Sequence, residues 1–519
     1  MAYTKTPTGD TYQSKEVSFV YRWDDRSSFT NDAPGNLPYD SVSQNIVFEP
    51  VNSQITGEKI YNAYKRDGSS HMTYGASGAP PTLSDTFNNP VVGIWYSQPS
   101  DKLIVVTWDG ALASTWYVLG APGILPGDVA LNSFGNFGGF VNNNINWTDF
   151  VFDNGDIAVF FAHPNSGNSI ERIMPLLGTQ TTLNTGPVGD HNSDPTTLDG
   201  YVFLSTPDGR IWNSNLNDPT TWGASNFVTA ESYGDGLRRI ARSGAYIVAF
   251  GNDSIEWFYD AANPTGSPLS VYTGATQRVG FLGGLAAVGD ALYFVGKATN
   301  QSTSLYKISG LKLERIEDFT INRKLQGNFA TSFTNATGNF IVLNGHTIYV
   351  WWSASNDAYP ICYDLDTGLF ISVDFQQGDY DLIQTTAVPF TGAQYSSLFC
   401  RTGDNHVYYY DATVYQDDGV NYTAYLQTKN HDFDTRRLKF GSRVLLDCDQ
   451  TASASNCQLS WTVDDYKTFN TARDINLEDV YPATFALGQF RKIAFKLLYT
   501  DNFPMRFSAI ELDYNQGSQ

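Results

Sequence analysis

Seven copies of a two-strand unit recur along this chain at about the spacing of β-propeller blades. The clearest copy runs from Gly200 to Ser214, GYVFLSTPDGRIWNS. In it Tyr201 to Leu204 form an apolar run, Asp208-Gly209 supply the turn, and Ile211-Trp212 begin the return strand. Asp-Gly suits a two-residue hairpin because both central residues of such a turn need positive φ. Related units begin near Lys102, Asp156, Ala245, Ala291, Asn339 and Ser396, giving steps of 54, 44, 45, 46, 48 and 57 residues. A four-stranded blade takes about 40–50 residues. The spacing therefore predicts an all-β chain built around a β-propeller of six to seven blades. The two long steps fall at the ends of the array, where additional segments are expected to attach.

Composition agrees with tight turns joining strands. The chain has 31 Tyr, 33 Phe and 45 Gly in 519 residues, is 41% hydrophobic and only 16% charged, and shows no long stretch of 3.6-residue apolar period. The formal net charge of −21 argues against a grip on nucleic acid, because Lys and Arg must displace counterions from phosphates. It is compatible with a wall past which DNA moves without sticking. No run of about 18 apolar residues predicts a membrane segment, and the N-terminal MAYTKTPTGDTYQSKE lacks the apolar centre of a signal peptide. Cys362, Cys400, Cys448 and Cys457 show no CxxC spacing, so reduced thiols are expected. Cys448 and Cys457 are the pair that a hairpin would bring face to face.

Three stretches differ from one another. Residues 1–75 are strand-like and aromatic but do not match the repeat, and are expected to join a platform. Residues 76–428 read as the propeller, entered through the Pro/Gly/Ser-rich GASGAPPTLSDTFNNP and interrupted by a Gly- and Asn-rich insertion or long loop near 120–155. Residues 429–519 read as a C-terminal β-sandwich. There the alternation of Leu438, Phe440, Val444 and Leu446, and of Ile493, Phe495 and Leu497, predicts one-faced strands. This last stretch holds Arg436, Arg437, Lys439, Arg443, Arg491, Lys492, Lys496 and Arg506, leaving the repeat region acidic.

A search for chemistry yields no catalytic, cofactor-binding or metal-ligating residues, and no cofactor is expected. His71, His163, His191, His346, His406 and His431 have no helical or zinc-type spacing. There is no G-x-S-x-G elbow, phosphate loop or H-E-x-x-H. The acidic turns Asp153-Asn154-Gly155-Asp156, Asp404-Asn405 and Asp417-Asp418-Gly419 lack the ligand order of a calcium loop, and hairpins use the same residues. TVDDYKTF (Thr462–Phe469) and SNLNDPTTW (Ser214–Trp222) approximate an Asp-box hairpin, in which the Asp caps backbone N–H groups and plays no catalytic part. Arg238, Arg239 and Arg242 crowd one short stretch, whereas a sialidase needs arginines from separate blades.

Three linked motifs carry a family resemblance: LDGYVFLSTPDGRIWNSNLNDPTTWGASNFVTAES (198–232), IVAFGNDSIEWFYDAANP (247–264) and RVGFLGGLAAVGDALYFVGKATNQSTSLYKISGLKLERI (278–316). Together they resemble the tail accessory, nozzle or packaged-DNA stabilisation proteins of short-tailed bacteriophages. NAYKRDGSS (Asn62–Ser70) resembles a Lys-Arg-Pro-Gly entry of that family, with Asp67 in place of Pro. SWTVDDYKTF and FRKIAFKLLYTD resemble its closing β-sandwich. The resemblance implies a non-enzymatic virion tail protein, assembled in the host cytoplasm as a homohexameric ring. It further implies contacts with tail adaptor, portal and fibre or spike proteins, and packaged double-stranded DNA passing through the lumen without sequence-specific binding. Exposed Trp and Tyr leave a glycan-binding or glycan-degrading propeller as the alternative, and an adaptor propeller that binds proteins on its top face as a third.

Overall fold

The computed structural model describes residues 17–18, 42–52, 59–72, 74–76, 83–84, 87, 89–108, 112–119, 130–138, 145–162, 169–189, 191, 195–230, 232–318, 321–322, 325, 336–353, 360–373, 382–387, 397–401 and 403–517. Within them the fold is almost entirely β, organised as nine sheets.

Seven sheets are propeller blades. Five of the seven have four consecutive antiparallel strands, the arrangement that alternating apolar runs and tight turns favour. The strand nearest the axis in each blade is, in chain order, Val91–Ser97, Asn146–Val151, Thr196–Leu198, Leu237–Ser243, Val279–Val288, Ala336–Leu343 and Leu382–Ala387. The first blade continues outward through Lys102–Trp108, Leu112–Leu119 and Ala130–Gly138, and adds Tyr74–Ala76 and Leu83–Ser84. The seven repeats each fall on a different blade, so the count is seven. Six of the repeats mark the second strand, but the one at Asn339 lies on the first strand, Ala336–Leu343, with His346–Ser353 as its partner. Counted from His346, the last step falls from 57 to 50 residues and the one before it rises from 48 to 55.

The seventh blade is closed by the other end of the chain. Leu382–Ala387, Ser397–Arg401 and Val407–Asp411 come from its own repeat, and Gly68–His71 pairs along Val407–Asp411 as its outermost strand. A ring closed in this way cannot open without breaking a strand pair.

The remaining two sheets form the platform, and both mix the chain ends. One is ordered Ile46–Asn52, Lys59–Lys65, Arg506–Gln516, Lys439–Cys448, Ala483–Phe490. The other is ordered Val42–Gln44, Ala424–Gln427, Ala494–Tyr499, Asn456–Thr462, Arg473–Asn476. The strand Ala424–Gln427 therefore pairs in the platform, and Gly68–His71 in the propeller. A single apolar core runs from Val47, Phe48, Val444 and Leu497 of the platform into Ile341, Val350, Phe399 and Tyr408 of blades six and seven.

Two expectations change at this level. The stretch 120–155 contains the strands Ala130–Gly138 and Asn146–Val151. Ile145, Trp147 and Phe150 are buried, an apolar set that intervening Asn and Thr obscure in the sequence. In Lys439–Cys448 the alternation breaks. A bulge between Gly441 and Arg443 shifts the register, so Lys439 is fully buried and Phe440 is exposed, while Val444 and Leu446 face the core. One extra residue in a strand reverses the faces on either side of it.

Candidate functional site

Two places in the fold combine buried charge with geometry that secondary structure alone does not require. One is the closure between propeller and platform; the other is the propeller axis.

At the closure, the consecutive residues Lys65, Arg66 and Asp67 lead from the platform strand into the closing strand. Arg66 is fully buried and donates from Nη1 and Nη2 to the two carboxylate oxygens of Asp417, at 3.0 and 2.5 Å. Its Nε donates to Asn45 Oδ1 at 3.0 Å, and its guanidinium lies 3.8 Å above the Tyr422 ring. Ser69 Oγ donates to Asp417 at 3.0 Å and Arg401 Nη2 to Ser69 Oγ at 3.1 Å. Burial alone would lower the Arg66 pKa, but the adjacent Asp417 charge raises it overall, so the guanidinium stays charged. Asp67 exchanges two bonds with the Asn344 turn of blade six: its N–H donates to Asn344 Oδ1 at 3.0 Å, and its Oδ2 accepts the Asn344 N–H at 2.8 Å. A Pro at 67 has no N–H to give, so Asp67 supplies a bond that the resembling Lys-Arg-Pro-Gly entry lacks.

Lys65 is 1% exposed. Its Nζ donates to the carbonyls of Asp501 at 2.7 Å and Tyr415 at 3.1 Å, and burial, with Arg66 next to it, lowers its pKa to about 7. The unfolded chain, with Lys near 10.4, binds the extra proton between those values. From this group, unfolding free energy should therefore rise as pH goes from about 7 to 10, by up to ~1.4 kcal/mol per unit. Denaturant titrations across that range should show the slope in the wild type and not in Lys65→Met.

The inner strands of the seven blades surround a cavity of about 700 Å³ on the axis. Each blade contributes to it, through Trp95, Asp149, Thr197, Arg242, Ala286, Asn339 and Thr386 in turn. Neighbouring blades are laced together there. Tyr96 N–H donates to Thr386 Oγ1 at 2.9 Å, Thr197 Oγ1 to the Asp149 carbonyl at 3.4 Å, and Arg242 Nη1 to the Thr197 carbonyl at 3.3 Å. Trp95 and Trp147 lie nearly parallel, with centroids 6.4 Å apart and planes at 10°. The volume is that of a small-molecule pocket, about 300–1,000 Å³. DNA, whose major groove alone is about 12 Å wide, does not pass through it.

The candidate turns are occupied by protein donors. Asp418 pairs with His71 at 2.5 Å, Asp404 with His406 at 2.6 Å and Tyr408 at 2.5 Å, and Asp153 accepts from Asn217 at 2.7 Å. In TVDDYKTF, Asp464 accepts from Thr462 Oγ1, Thr468 N–H and Thr468 Oγ1 at 2.8, 3.0 and 2.6 Å, and these bonds lower its pKa to about 2. That is the cap expected of an Asp-box, with Tyr466 in the turn adopting the left-handed φ of 62° that favours Gly. Asp218 caps Thr220 in the same manner. Arg238, Arg239 and Arg242 all lie on the inner strand of blade four. None of the four cysteines, all among the described residues, is in a disulfide, and His163 lies outside the described residues.

One cluster escaped the spacing argument. His346, Asp364 and Asp366 bring ligand-type atoms within 4.8 Å of one another, because the register of two adjacent strands places His346 beside Asp364. Their lone pairs are already engaged by His346 Nδ1, Thr347 N–H and Thr367 Oγ1.

Residues 169–380 match the family model described as Bacteriophage P22 Gp10, beta-propeller. The match spans the outer part of blade two through blade six. It supports a phage structural protein associated with the tail, and so a virion component. No curated protein matches the chain. Among solved structures, the chain is similar to one in the complex of S. cerevisiae dbp5 with nup159, gle1, ip6 and adp, at 8% identity and TM-score 0.38, over 67% of this chain and 95% of that one. A chain of the mitotic checkpoint complex is similar at 10% identity and TM-score 0.36, over 66% and 94%. The N-terminal domain of Nup159 is similar at 8% and 0.37, over 72% and 100%. These likenesses are too distant to bear on function.

Charge is divided unevenly between the two parts. Residues 429–519 hold 11 Lys/Arg and 12 Asp/Glu, leaving 21 and 41 for residues 1–428, a formal −20. Several platform cations are used internally: Lys439 donates to the Arg437 and Arg491 carbonyls at 3.2 and 2.9 Å, Arg443 pairs with Asp513 at 2.8 Å, and Arg506 pairs with Asp449 at 2.5 Å.

Proposed function

We propose that this chain is the structural subunit of a phage tail nozzle that closes the portal channel behind packaged DNA and later serves as its ejection conduit. The family match over residues 169–380 carries the reading. The acidic propeller supports it: six copies would bring a formal −126 to the ring, and duplex beside such a wall is repelled and slides. Since the axial cavity of one propeller is too small for duplex, the conduit runs between copies, with each propeller forming part of its wall. Arg436 and Arg437, both exposed, are then placed to pair with acidic faces of neighbouring copies or of adaptor and fibre proteins.

Native mass measurement and negative-stain imaging of the purified protein, with and without a tail adaptor, should show closed rings. A stable monomer under both conditions that releases reducing sugar from host glycans would replace this reading with the glycan-active one. Reversing Arg436 and Arg437 to Glu should shift the assembly equilibrium towards monomer; unchanged rings would remove these residues from the interface.

A further inference from the structure

We infer that the axial cavity is a binding site for a basic group: the guanidinium or ammonium of an Arg or Lys side chain. This goes beyond the tail role and does not depend on it.

Asp149 lies on the inner strand of blade two, half-buried and facing the cavity. Its carboxylate accepts a long bond from Trp95 Nε1, at 3.4 Å, and lies near the Ser97 hydroxyl, and no Lys or Arg among the described residues pairs with it. Burial raises its pKa, and neighbouring Ser97 and Trp95 offset this only in part. A desolvated carboxylate of this kind is costly unless something positive completes it.

The surroundings suit a cation. The partly exposed Trp95 indole lies beside the carboxylate, held parallel to the buried Trp147, and tryptophan is the strongest aromatic partner for a cation. Among the described residues the one basic side chain in the wall is Arg242. It is held off by its own bonds to the Gly244 and Thr197 carbonyls, at 2.8 and 3.3 Å. The overall charge of −21 adds a long-range attraction for a positive guest. An anion would meet Asp149, and an apolar guest would strand it. A neutral sugar could stack on Trp95 but would leave the charge uncompensated.

The test uses the full chain and intrinsic tryptophan fluorescence with calorimetry. The probes are the peptide Gly-Arg-Gly amide, its citrulline counterpart, free arginine and glucose. Gly-Arg-Gly should bind at millimolar concentration or better, and citrulline about tenfold more weakly, as loss of one charge-assisted contact implies. Asp149→Asn should remove a similar factor without lowering the melting temperature, because the carboxylate has no cation to lose. Free arginine binding as well as the peptide would identify a small-molecule guest, and tighter peptide binding an inserted segment. Equal binding of citrulline and arginine, tighter binding of glucose, unchanged affinity in Asp149→Asn, or no binding of either cation would overturn the assignment.

Discussion

Arg66→Ala should destabilise the junction of propeller and platform by about 3–5 kcal/mol, the usual cost of removing one partner from a buried ion pair. The guanidinium is fully buried and serves three elements at once: Asp417 after blade seven, Asn45 in the platform, and the Tyr422 ring. Without it, Asp417 keeps only the Ser69 hydroxyl and nearby backbone, and its charge is left in the core. Since Ser69 belongs to the closing strand, the loss should be felt first at the strand pair Gly68–His71 with Val407–Asp411. Hydrogen exchange should show those amides losing protection before blades three to five. Arg66→Met with Asp417→Leu should cost less than Arg66→Ala, because replacing both charges removes the stranded one. Equal losses in the two variants would mean that the pair acts through packing alone.

The parts of this fold that could be read from sequence are those built from local signals. Each blade hairpin is an apolar run, a short polar turn (Asp-Gly or Asn-Gly in three of the seven) and a second apolar run, all within about 20 residues, which is why seven starts could be counted. The closing strand carries no such signal. Gly-Ser-Ser-His at 68–71 has no apolar alternation, and its partner lies more than 330 residues away. Its role follows from topology, not from propensity. The platform strand Lys439–Cys448 was recognisable as a strand, but the one mark of its bulge is the isolated Gly441, which alternation read without it overlooks. The axial site was hidden for a different reason. Asp149 sits in an Asn-rich stretch that reads as loop, and its neighbours Trp95 and Thr197 come from other blades. A site on the axis of a propeller uses about one residue per blade, so no linear motif can announce it.

The second large effect is expected where blades five and six meet at the axis. Gly284 has φ +70°, and a Cβ there would run into Trp351 and the Tyr349 hydroxyl, both on fully buried rings. Tyr349 also donates its hydroxyl hydrogen to the Gly284 carbonyl, so the backbone cannot retreat without breaking a buried bond. Gly284→Ala therefore combines the cost of left-handed backbone for an L-residue, about 1–2 kcal/mol, with overpacking of about 1–3 kcal/mol. The expected loss is about 2–5 kcal/mol, read as a lower urea midpoint of tryptophan fluorescence. Gly289 separates the two terms. It shares the left-handed backbone, at φ +55°, but a Cβ there meets nothing within 4 Å. Gly289→Ala should therefore show only the conformational term, near 1 kcal/mol. If both variants lost the same amount, the close approach of Gly284 to Trp351 would not be limiting. A large excess at Gly284 would show that blades five and six are packed too closely there to admit a methyl group.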